Sequence, residues 1–79
     1  MNANERVTET LIKIIKDGKL QLDECLTLIE LAPELMYPLA KDLGLEIGGL
    51  RDVAHDGKLG SDAVAKLVSL MVKALVHSN

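Results

Sequence analysis

Apolar residues recur along this chain at helical spacing. From about Asn4 to Lys16, the residues Val7, Leu11, Ile12, Ile14 and Ile15 fall on one side of a helix, while Glu5, Glu9 and Lys13 lie elsewhere. Asn2 with Glu5 after it resembles a capping box, and Asn4 is an alternative cap. Asp17-Gly18 stops this helix, because glycine takes the left-handed conformation that a helix end commonly needs. Lys19 to Leu22 is expected to be briefly extended. A second helix opens near Asp23, where its carboxylate and that of Glu24 face the positive end of the helix dipole, and it carries Leu26, Leu28, Ile29 and Leu31 inward. Pro33 suits a first helical turn, and Pro38, which has no N–H to donate, kinks or restarts that segment. The pattern therefore predicts a bent connector from Pro33 to Leu43, with Leu35, Met36, Leu39 and Leu43 facing the core. A third helix is expected from about Glu46 to His55, despite the helix-weakening Gly48 and Gly49, which would allow close backbone contact. A fourth runs from Ser61 or Asp62 to His77 with Ser61 as its cap.

These elements are duplicated. Asp17-Gly18-Lys19-Leu20 returns as Asp56-Gly57-Lys58-Leu59 at an offset of 39 residues, and at that offset Leu11 aligns with Leu50, Ile14 with Val53, Leu28 with Leu67 and Leu31 with Leu70. A period of this size usually marks units whose apolar faces only a neighbour can cover. With two copies, one spanning about residues 7–36 and the other about 46–75, the units should close on each other. The expected fold is thus a single all-α domain over residues 1–79. It has four helices plus a bent connector, in two pseudo-symmetric helix–turn–helix units. Their turns, held by Asp17, Gly18, Leu20, Asp56, Gly57 and Leu59, lie side by side with room for a two-residue β-contact.

Each unit resembles the EF-hand, a family of paired helix–loop–helix calcium modules. The likeness covers the second half of the loop, where Gly18 and Gly57 make the sharp turn and Leu20 and Leu59 hold the pairing position. The resemblance implies ligands at loop positions 1, 3, 5 and 12. Those positions hold Lys13, Ile15, Asp17 and Glu24 in one unit and Asp52, Ala54, Asp56 and Ala63 in the other, so calcium binding does not carry over. In texture the chain is also similar to small helical proteins of tailed phages and prophages, acidic with an Asp-Gly-Lys-Leu turn opening a helix. The acyl carrier proteins match in size and charge, but their modified serine directly follows an aspartate. In Gly60-Ser61-Asp62-Ala63 the serine comes before it.

Composition narrows function mostly by exclusion. The net charge is −3, and the nine basic residues are scattered. Nucleic acid is therefore not expected as a direct partner, since backbone binding needs clustered Lys and Arg and single strands need aromatic platforms, of which Tyr37 alone is present. Cys25 is the lone cysteine, so no internal disulfide forms. On the apolar stripe of a leucine-rich helix it reads as a small buried hydrophobe and not as a nucleophile served by His55 or His77. Two distant histidines make no zinc site, no cofactor is expected, and an enzyme is not. The N-terminal stretch lacks the apolar core of a secretory signal, and Lys66 and Lys73 interrupt the best candidate for a membrane span, so the chain reads as cytoplasmic.

The last helix departs from this plain picture. Its polar residues Asp62, Lys66, Ser69, Lys73 and His77 fill a stripe about 80° wide at 100° per residue, and the rest of the circumference is apolar. Either this helix is central to the fold or one flank meets another molecule. With Leu67, Leu70, Met71 and Ala74 assigned to the core, Ala65, Val68, Val72 and Val76 form the expected interface. The sequence thus points to a non-catalytic interaction or structural protein whose partner is itself, as a homodimer, or another protein. The alternative is a regulatory adaptor or inhibitor that docks on an enzyme through Glu30, Glu34, Asp42 and Glu46.

Overall fold

Glycine and proline cut the chain into five helices in the computed structural model, which describes residues 3–77. These are α1 (Ala3–Asp17), α2 (Leu22–Leu31), α3 (Pro33–Asp42), α4 (Ile47–His55) and α5 (Ser61–His77). The domain is all-α, as the periodicity predicts. The segment expected as a bent connector is a helix in its own right, so the count is five and not four. Pro33 starts it, because its fixed φ suits a first helical turn, and the same ring pushes Ala32 out of the helical region to φ −139° and ψ 56°. Ala32 is the only residue separating α2 from α3. Pro38 sits inside α3 without ending it. The carbonyl it leaves without a helical donor belongs to Glu34, which is exposed and can turn to water.

Three helices end on a glycine with positive φ: Gly18 (+70°), Gly44 (+73°) and Gly57 (+73°). After α3 the Leu45 N–H donates to the Ala40 carbonyl at 2.8 Å, and after α4 the Lys58 N–H donates to Val53 at 3.0 Å. Both are the six-to-one closure that absorbs a helix's orphan carbonyls when the next residue turns left-handed. The capping box expected at Asn2 lies outside the described residues. Ser61 is the first helical residue of α5 and not its cap, and the Val64 N–H donates to the carbonyl of Gly60 before it.

The fully buried side chains come from every helix: Ile14 of α1, Leu28 and Cys25 of α2, Met36 and Leu39 of α3, Leu50 of α4 and Leu67 of α5. Helix α3 packs against α2, α4 and α5, and α2 also holds α1 and α4. The supposed connector is therefore, together with α2, one of the two helices around which the others pack. Several expected inward positions instead face out. Ile12 and Ile15 of α1 and Leu26 of α2 are exposed, and so is Ala74 of α5. On α1 and α5, each packed mainly against one other helix, the buried arc is too narrow to take every apolar side chain.

The glycines of α4 do not serve close packing. A methyl group built on Gly48 would meet nothing within 4 Å, and one on Gly49 would touch only the Leu45 side chain at an ordinary 3.6 Å. Among the described residues, no helix is long and apolar enough to cross a membrane.

Candidate functional site

Helix α5 begins in the core and ends outside it. Ala63, Val64 and Leu67 are buried, Val68, Leu70 and Met71 are half-buried, and the helix from Val72 to Val76 is exposed at every position. Val72 is 53% exposed, Leu75 68% and Val76 65%. Of the expected interface residues, Ala65, Val72 and Val76 lie open to solvent, and Val68 is partly covered by the core. The possibility that α5 is the central helix is thereby removed, because a central helix would not leave two valines and a leucine of its last turns in water.

Beside this ridge runs a groove that the apolar stripe of α5 alone does not reveal. It has a volume of about 840 Å³ and lies between α1, the start of α3 and the second half of α5. Leu11, Ile12 and Ile15 line one wall, Leu35 and Glu34 the α3 side, and Met71 with Leu75 the other. Ile12 and Ile15 are 50% and 51% exposed. In the sequence these two share the apolar side of α1 with Leu11 and Ile14, and nothing in the spacing alone marks them as exposed. The signal available is the width of that side, since at 100° per residue the apolar arc of α1 from Ile14 to Ile12 covers about 160°, more than one packed neighbour hides.

The two duplicated turns meet. Gly18 and Gly57 adopt matching left-handed conformations, Leu20 and Leu59 are both buried, and the Leu20 N–H donates to the Leu59 carbonyl at 2.9 Å. No strand is assigned among the described residues, so the expected β-contact is reduced to this hydrogen bond. Asp17 and Asp56 are exposed. Lys13, Ile15 and Asp17 lie within α1, and only residues 18–21 separate it from α2. Glu24 is nearly buried, and its Oε1 accepts the backbone N–H of Gln21 at 3.0 Å, which caps the start of α2. Among the described residues, no group of three or more His, Cys, Asp and Glu side chains is placed to hold a metal ion.

Cys25 is fully buried, and burial pushes its thiol from 9.0 up to about 11 against the opposing pull of the Arg51 charge. At neutral pH it is a protonated core side chain, without the thiolate that nucleophilic chemistry needs. His55 is exposed, with Nδ1 at 3.5 Å from the Asp56 carboxylate, a solvent-screened pair worth little. Glu30, Glu34, Asp42 and Glu46 are all exposed, but they are spread over α2, both ends of α3 and the start of α4. A second cavity, of about 430 Å³, opens between Leu43, Val53 and the start of α5 at Ser61 and Asp62.

No family model, no curated protein and no solved structure matches this chain.

Proposed function

We propose that this chain is a non-catalytic interaction protein that self-associates through the exposed flank of α5, the surface carrying Ala65, Val72 and Val76 with the edge of Val68. The observation that carries this reading is the exposure of Val72, Leu75 and Val76 together on a helix whose other side is already packed against α3. Exposed apolar residues are ordinary when single, whereas a contiguous group of large ones on one rigid element marks a contact surface. Hiding them releases about 25 cal/mol per Å² of apolar surface. The two Asp-Gly-Lys-Leu turns serve this function only indirectly. In this reading they relate two helix–turn–helix units pseudo-symmetrically and fix the base from which α5 projects, a role supported by the matching glycine conformations and the Leu20–Leu59 hydrogen bond.

The test is sedimentation or light scattering of the purified protein across the micromolar range, beside the variant Val72→Glu. The expected result is a wild-type dimer and a mutant monomer with unchanged helical content, since Val72 is half exposed and a charge there is tolerated by the isolated fold. A wild-type monomer at every concentration would remove the self-association reading. The exposed carboxylates Glu30, Glu34, Asp42 and Glu46 would then be the next surface to probe, as the docking face of an adaptor that stays monomeric until its target is added.

A further inference from the structure

The exposed ridge of α5 and the groove beside it lie on one continuous apolar strip. At 100° per residue Leu75 points between the buried Leu67 and the exposed Val72, so Leu75 is at once the lip of the groove and the foot of the ridge. Across the groove, Ile15 and Ile12 continue the strip onto α1. The strip thus has a hollow and a raised edge side by side, which is the geometry a two-fold contact requires, because the same patch must then fit itself.

We propose that the α1–α5 groove receives the Val72–Val76 ridge of a second copy of this chain, reciprocally, so that Ile12 and Ile15 are interface residues. This inference rests on the self-association reading and names the surface that α5 enters. Two observations favour a second copy as the occupant. The first is charge. Among the described residues, the sole charged group lining the groove is the carboxylate of Glu34, whereas the one charged side chain within the span of the ridge on α5 is Lys73. The ridge of this chain is therefore matched in sign to its own groove. The second is area. Ile12, Ile15, Val72, Leu75 and Val76 are each half exposed or more, and together present roughly 500 Å² of apolar surface per copy, the upper range of the largest patch on an ordinary monomer. Covered on both copies, this comes to about 1,000 Å² before the polar rim is added, which is the lower bound for a specific interface and fits a dimer that forms and parts reversibly.

Cross-linking tests the pairing. Ile15→Cys and Val72→Cys are made as separate proteins, each retaining the buried native Cys25, then mixed and oxidised. The expected product is the mixed dimer joined between position 15 of one copy and position 72 of the other. A second pair of variants checks the register without touching the apolar strip. Glu34→Lys and Lys73→Glu should each weaken dimerisation roughly two- to thirtyfold, because the two-fold contact places each change in two rim charge pairs, and the double reversal should restore it. If sedimentation shows a dimer but Val72→Cys links only to itself and the double reversal gives no recovery, the ridge-in-groove arrangement is overturned while self-association through α5 stands. If the wild-type protein is monomeric throughout, both fall.

Discussion

Single residues in this chain owe their roles to what surrounds them more than to their type. Cys25 shows this. Its ordinary thiol chemistry is suppressed because ionisation would place a charge among Leu28, Met36 and the rest of the core. The folded thiol titrates at about 11 against 9.0 when exposed, so its contribution to stability is full below about pH 9 and is lost as pH rises through 11, where the unfolded chain gains from ionising first. Urea unfolding at about pH 8 and about pH 10.5 should show a fall in midpoint that is smaller in Cys25→Ala. In the native protein at neutral pH a thiol reagent should modify Cys25 only as fast as the fold opens. Gly57 is the opposite case, a residue chosen for having no side chain. Its φ of +73° costs other residues about 1–2 kcal/mol, so Gly57→Ala should lower the unfolding free energy by about that amount in a denaturant titration.

At the scale of elements, the sequence shows helix existence well and the buried arc of each helix less well. The five helices follow from apolar spacing cut by Gly18, Ala32-Pro33, Gly44 and Gly57. What the pattern could not show is that Pro38 would be carried inside a helix, because that depends on Glu34 lying at the surface where water can take its carbonyl. Likewise α1 and α5 each carry a wide apolar arc in sequence, and only the placement of α2 and α3 decides which part of each is covered. That is why Leu11 and Ile14 are core while Ile12 and Ile15 are not. The same reasoning gives a prediction for α4. Gly48 and Gly49 hold no neighbour at close range, so Gly48→Ala should stabilise the protein by about 0.5–1 kcal/mol, and Gly49→Ala by no more than that, read as a raised midpoint of thermal or urea unfolding. Glu24→Ala, which removes the acceptor at the head of α2, should cost about 0.5–2 kcal/mol, and Glu24→Gln much less.

For the whole molecule, the junction of the duplicated turns joins the first and last thirds of the chain. Leu20 and Leu59 are both buried there, so Leu59→Ala should cost roughly 2–5 kcal/mol and the Leu20 amide should be among the slow exchangers. The repeat made this meeting point legible in advance, whereas the groove was not, since it belongs to no single element. Because Lys13, Ile15, Ala54 and Ala63 stand where an ion would need oxygens, thermal melts with excess calcium and with chelator should superimpose, and a shift of many degrees would show that the turns bind an ion.

The way α1 is attached has a further consequence. It is held mainly by α2, with Leu11, Ile14 and the bonded Leu20 near its end, while Asn4, Glu5, Arg6, Thr8 and Glu9 of its first turns are exposed. A helix anchored at one end peels from the other, at a free energy well below that of global unfolding. Protease sensitivity should therefore be graded along α1, with trypsin reaching Arg6 readily and Lys16 only when Ile14 is released. Since the groove needs α1 as its wall, occupancy of that groove would close the scissile site, and the rate of cleavage at Arg6 becomes a clock for how long each molecule spends alone.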